Sequence, residues 1–170
     1  MVGGVSGSGK TTFAKRLAAQ LSLPYHEMDA FYHGPNWEPI PTFEADVQAV
    51  IDRDEWVIDS DGYASVRDAM WARADTVIWL DFRRPIILMR VVWRSAERAI
   101  TKRPMFNGNI ERASDWFDPE HPIQWSMRNY NSRKQRLEAR FGDPTYADLH
   151  KVRLRTPRAA NWWLAHLRGK

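Results

Sequence analysis

Short apolar runs that end in an acid alternate along this chain with longer stretches of helical periodicity. Residues 24–29 (PYHEMD), 55–59 (EWVID) and 76–80 (TVIWL, followed by Asp81) read as strands with buried centres. Residues 151–155 alternate Val152 and Leu154 with basic side chains, as a strand at the border of a sheet does. Between them, residues 10–21, 42–51, 65–74, 85–101, 122–141 and 157–167 carry helical patterns. Pro85, Pro122 and Pro157 suit a first helical turn, where a missing N–H leaves no hydrogen bond unmade. Strands alternating with helices predict an α/β fold: a three-layer α/β/α sandwich on a parallel sheet of about five strands. With 170 residues, no internal repeat and no low-complexity linker, we expect a single domain over 1–170. The stretch 103–119 holds Asn107-Gly108-Asn109 and two prolines and fits neither pattern; a lid insertion at about 102–119 is the reading it supports.

The turn between the first apolar residues and the first helix carries the chemistry. Gly4-Val5-Ser6-Gly7-Ser8-Gly9-Lys10-Thr11 fits G-x-x-x-x-G-K-[ST]. Glycines let such a loop curl until successive N–H groups point inward at phosphate oxygens, and the helix that follows adds the positive end of its dipole. Gly4, Ser6, Gly7, Ser8, Gly9, Lys10, Thr11 and Thr12 are therefore the expected nucleotide-binding residues, for ATP with Mg²⁺. Lys10 would reach the β- and γ-phosphates, and the Thr11 hydroxyl would ligate the metal. Only Met1, Val2 and Gly3 precede the loop, fewer than the five or so residues of an ordinary strand. Either that strand is stunted or the native start lies upstream of Met1.

Phosphoryl transfer needs an acceptor-orienting group besides the cradle. Acids at the carboxyl ends of parallel strands are the first candidates. Asp29 ends the second predicted strand with Glu27 on the same face, and is expected to contact the acceptor hydroxyl, a turn-capping role being its alternative. Asp59 follows Trp56-Val57-Ile58 where a Walker-B acid would hold a metal-bound water; Asp61 is the competing residue. Asp81 reads as structural. Arg90, Arg94, Arg98 and Lys102 recur every four residues on one helical face and want an anionic partner, phosphate or carboxylate. Lys102, Arg103 and Arg112 flank or enter the lid and would close over the nucleotide.

Charge adds a gradient that the net value of +4 hides. Residues 1–60 carry 4 basic and 9 acidic side chains, and residues 128–170 carry 11 and 3. A basic final third admits a nucleic-acid partner, but a solvated surface offsetting an acidic front is the favoured reading. With no cysteine, neither a disulfide framework nor a thiolate zinc site can form, and the five histidines lack metal-ligand spacing. No signal-peptide pattern or apolar run of about 20 residues is present, so cytoplasmic residence and no membrane partner are expected. Trp56, Trp79 and Trp93 read as packing residues, Trp37 as an acceptor-pocket wall or a loop anchor.

Together these landmarks resemble the adenylate-kinase-like P-loop kinases, in particular small bacterial proteins known as adenylate kinase-related or DNA topology modulation proteins. The resemblance spans most of the chain and rests on GVSGSGKTT at 4–12, MDAFYHGPNW at 28–37, WVIDSDGY at 56–63, RADTVIWLDFRR at 73–84 and FNGNIE at 106–111. It implies a five-stranded parallel sheet with a basic lid. Lys10 and Thr11 take the phosphate and magnesium roles, Asp29 the acceptor side, and Lys102 with Arg103 the catalytic lid side. Asp59-Ser60-Asp61-Gly62-Tyr63 lacks the Pro-Arg that follows the third strand in adenylate kinases proper, so no AMP-clamping arginine is identifiable. Glu27-x-Asp29 is similar instead to the paired acids of shikimate- and gluconate-type kinases. The expected activity is ATP-dependent phosphoryl transfer to a small-molecule or nucleotide acceptor. The alternatives are a regulatory NTP-binding protein that contacts nucleic acid, or a slow NTPase. The acceptor's identity, the choice between ATP and GTP, and the oligomeric state are not legible.

Overall fold

The computed structural model describes residues 1–101 and 122–167. The elements run β1 (Val2–Gly4), α1 (Lys10–Leu21), β2 (Tyr25–His26), α2 (Met28–Tyr32), α3 (Phe43–Ile51), β3 (Val57–Ile58), α4 (Arg67–Arg73), β4 (Thr76–Leu80), α5 (Arg84–Thr101), α6 (Pro122–Gly142), β5 (His150–Leu154) and α7 (Pro157–His166). All three strand pairings are parallel, but the five strands form two sheets rather than the one expected: a three-stranded sheet ordered β1-β4-β5 and a two-stranded sheet of β2 with β3. Parallel neighbours cannot be joined by tight turns, so every connection crosses over through helix.

β4 shows how the layers form. Ile78 and Leu80 face one cluster, with Phe13, Leu17, Ile87, Val91 and Leu164 from α1, α5 and α7. Val77 and Trp79 face the other, with Met28, Val47, Met70 and Leu137 from α2, α3, α4 and α6. A strand buried on both faces by the two-residue alternation of its side chains sits at the centre of a three-layer α/β/α sandwich. β5 lies at the border of its sheet, as its alternation suggested. Thr156 accepts a hydrogen bond from the Ala159 N–H at 3.1 Å, and Pro157 occupies the first turn of α7.

Two expectations are corrected. The strand expected over 24–29 ends at His26, because the Met28 N–H is taken by the Asp59 carboxylate at 3.0 Å and the chain turns into α2. Asp29 therefore lies in the first turn of a short helix, not at a strand end. Trp93 is 74% exposed rather than packed. The buried stripe of α5 runs through Ile87, Val91 and Ser95, four residues apart, and Trp93 falls off it.

The lid expected at about 102–119, with Lys102, Arg103 and Arg112, lies outside the described residues. No helix among the described residues is long and apolar enough to cross a membrane.

Candidate active site

Gly4, Gly7 and Gly9 adopt φ of +148°, +82° and +88°, which L side chains rarely do, and these three turns bend residues 4–9 into a concave loop between β1 and α1. At Gly7 the constraint is also spatial. A Cβ there would lie 2.4 Å from Val91 Cγ2 and 3.0 Å from the Ile87 carbonyl oxygen, because α5 packs directly on the loop. The arginine stripe of α5 serves the same contact: Arg90 donates to the Ser8 carbonyl at 3.0 Å and Arg94 to Ser6 Oγ at 3.5 Å. Arg90 and Arg94 thus meet the loop itself, while the Arg98 side chain and Lys102 lie outside what is described. Thr12 is exposed on the first turn of α1.

Lys10 is drawn inward rather than facing solvent, and donates to the Val5 carbonyl at 3.3 Å. Desolvation lowers its pKa; Arg133 adds to that, and Asp61, Asp29 and Asp59 oppose it. Three acids and a second cation therefore act on the Lys10 charge.

Asp59 is the acid the fold holds most firmly. Thr11 Oγ1 donates to its Oδ2 at 2.6 Å, Tyr25 OH to the same oxygen at 2.9 Å, and the Met28 N–H to Oδ1. Burial and the Asp59 charge push the Tyr25 hydroxyl well above its ordinary pKa, so it remains a donor. The two expected metal residues, Thr11 and Asp59, are thus brought into contact. Among the described residues no group of three or more His, Cys, Asp or Glu gathers as a metal cage. A hydroxyl and a carboxylate at the loop fit a magnesium ion that keeps several waters and takes its remaining oxygens from phosphate.

Asp29 stands across the mouth, exposed, and accepts from Tyr63 OH at 2.9 Å. Burial and Asp29 likewise keep the Tyr63 hydroxyl protonated. Glu27 does not join it. It pairs with Lys15 at 3.5 Å, and burial raises its pKa. The expected acid pair is therefore split between two partners. Asp61, the competitor for Asp59, is 1% exposed, with both carboxylate oxygens lacking a hydrogen bond and Arg133 at 3.8 Å. Asp81 is structural, held by Lys134 at 3.1 Å and by Arg153 at 2.7 Å. Trp37 is 42% exposed at φ +64°, its ring edge-on to His33.

Sequence reasoning passed over Tyr25 and Arg133, which contact Asp59 and Asp61. Arg133 was counted only as basic surface, and nothing in local spacing marks it; α6 carries it to Asp61 across 72 positions.

No family model matches the chain, and no curated protein matches it. Solved structures do. An unliganded sugar kinase from Janibacter sp. HTCC2649 is 22% identical, with 96% of this chain and 90% of that one aligned at a TM-score of 0.48. A gluconokinase from Sinorhizobium meliloti 1021 is 18% identical, with 96% and 89% aligned at a TM-score of 0.50. At such identities the second likeness is one of fold alone, a parallel sheet flanked by helices.

Proposed function

We propose that the chain is an ATP- and Mg²⁺-dependent kinase that phosphorylates a hydroxyl of a small-molecule acceptor. The observation that carries this reading is the Thr11–Asp59 hydrogen bond of 2.6 Å beside Lys10, with the Asp29–Tyr63 pair facing them. The loop N–H groups and Lys10 bind the triphosphate. Thr11 and Asp59 would hold a magnesium ion through its water shell, and that ion would supply neutralisation of phosphate charge. Asp29 accepts the proton of the acceptor hydroxyl as its oxygen bonds to the γ-phosphorus. The bond from that phosphorus to the β–γ bridging oxygen breaks, leaving ADP. Tyr63 OH, donating to Asp29 Oδ1, holds that carboxylate in place. Lys102 and Arg103 remain candidates for the lid side by resemblance alone, and so does the narrower adenylate-kinase-related grouping.

A nucleic-acid role for the basic third finds less support. Lys134 and Arg153 are engaged with Asp81, Arg153 also with Glu138, and Arg140 with Asp68. ADP release measured with ATP–Mg²⁺ against nucleoside monophosphates, sugars, polyols and sugar acids tests the reading. One acceptor class should stimulate release well above the rate with water alone. Release that no acceptor stimulates would leave a slow NTPase.

A further inference from the structure

Asp59 has few acceptor positions to spare. An ionised carboxylate only accepts, and offers about four lone-pair sites over its two oxygens. Among the described residues Oδ2 is taken twice, by Thr11 Oγ1 at 2.6 Å and by Tyr25 OH at 2.9 Å. Oδ1 is taken once, by the Met28 N–H at 3.0 Å. One site is left, on Oδ1. The Thr11 proton is committed to Oδ2, so what Oγ1 can offer a cation is its lone pairs.

Thr11 belongs to the loop, and the Met28 N–H starts α2. The third donor, Tyr25, comes from β2 and is held from two directions. Its strand runs parallel to β3, with Tyr25 beside Val57 and His26 beside Ile58, and the Asp59 N–H continues the pairing to the His26 carbonyl. Side chains two residues apart share a face of a strand, so Asp59 lies on the face of Val57 and Tyr25. That face is covered by α1: Val57 joins the cluster of Phe13 and Leu17, and Tyr25 packs against it. Lys15, one helical turn beyond Thr11, sets its Nζ 5.2 Å from the centroid of the Tyr25 ring. Lys15 is itself paired with Glu27 at 3.5 Å. The same side of α1 therefore meets both the Tyr25 ring and the carboxylate that its hydroxyl serves.

We propose that Tyr25 is a positioning residue for the metal site: its hydroxyl closes the second acceptor position of Asp59 Oδ2 and so fixes the carboxylate, with Oδ1 as the oxygen left to the hydrated ion. The inference rests on the reading of Thr11 and Asp59 as the magnesium pair. A neutral donor suits the place, because an ammonium or guanidinium on Oδ2 would satisfy the carboxylate but repel the cation.

Calorimetry on the full chain tests it, with a non-hydrolysable ATP analogue titrated once in excess Mg²⁺ and once in EDTA. The ratio of the two affinities is the factor by which the metal tightens the nucleotide. Tyr25→Phe keeps the ring beneath Lys15 and removes only the hydroxyl. It should reduce that factor about tenfold, as loss of an outer-shell partner does, and leave the affinity in EDTA unchanged. In the Asp59→Asn background the same substitution should have no further effect, because its action passes through the carboxylate. A residue that only supported β2 would weaken the analogue with and without the metal, in either background. An unchanged factor in Tyr25→Phe, equal losses in Mg²⁺ and EDTA, or losses that add to those of Asp59→Asn each overturns the role of Tyr25.

The underlying readings fail separately. If Asp59→Asn lowers the factor and Tyr25→Phe does not, the metal pair stands without its positioning residue. If Mg²⁺ does not tighten the analogue on the wild-type chain, the metal pair falls and the role of Tyr25 with it. A factor that drops in Tyr25→Phe, with no acceptor-dependent ADP release by the wild-type chain, keeps Tyr25 and removes the kinase.

Discussion

The two sides of the site are built in opposite ways. The phosphate cradle comes from eight consecutive residues, Gly4–Thr11, whose backbone conformation is nearly the whole of its chemistry. The proposed acceptor side would instead be assembled from Asp29 and Tyr63, with Asp61 and Arg133 beside them, contributed by segments far apart in the chain and joined by side-chain contacts. A local loop can bind the same triphosphate in many proteins, because its ligands are N–H groups common to every residue. A surface gathered from remote side chains is free to differ from protein to protein, and substrate choice resides there.

The largest effect expected from breaking that contrast is at Lys10. Lys10→Ala should lower turnover by about 10²–10³-fold, the usual loss of one charged group stabilising the transition state. ADP-release kinetics with calorimetric ATP titration measure it; retained turnover and unchanged ATP affinity would remove the cradle assignment. Next come the acids. Asp29→Asn should reduce acceptor-dependent kcat about 10²-fold and leave ATP affinity nearly intact, as loss of a general base does. Asp59→Asn should instead raise the Mg²⁺ concentration for half-maximal rate about tenfold. If both variants alter only ATP affinity, donor and acceptor sides are not divided between them.

A third variant tests the loop as backbone. Gly7→Ala should cost about 1–3 kcal/mol in urea unfolding, from the left-handed φ and the clash with Val91 and Ile87. Gly142→Ala, where an added Cβ meets nothing within 4 Å, is the control and should change stability little. Equal effects would mean that α5 yields to the loop. The smallest effect expected is on nucleic acid. Six phosphate contacts by Arg133, Lys134, Arg136, Arg153, Arg155 and Arg158 would give a slope of roughly −5 in log K against log salt on duplex DNA. We expect weak binding that vanishes near about 150 mM salt. Sub-micromolar affinity at that salt, lost on charge reversal, would favour the nucleic-acid reading over the kinase one.

The same contrast decides what the sequence made legible. α1 and β4 have the bounds their patterns predicted, Lys10–Leu21 and Thr76–Leu80, because glycine spacing and hydrophobic period act locally. The pairing of Thr11 with Asp59 followed from two local motifs read together. The strand expected at 24–29 failed because its end is determined by Asp59, 31 residues on from Met28. Trp93 was misjudged because α5 is apolar on several faces, with Ile86, Leu88, Met89 and Val92 beside the buried stripe, so its pattern does not say which face packs. Arg133 looks like ordinary surface charge until α6 brings it to Asp61.

The seating of α5 on the cradle has a mechanical consequence. Val91, Arg90 and Arg94 fasten the middle of an 18-residue helix to the Ser6–Ser8 turn. A helix is stiff over its length of about 27 Å, and a stiff rod fastened near its middle is a lever. Any small re-seating of that turn around a triphosphate is passed to Thr101, roughly 16 Å beyond Arg90 at the helical rise. Occupancy of the loop would thereby be reported at a distance by the position of one helix end, and amide exchange in the last turn of α5 should register it.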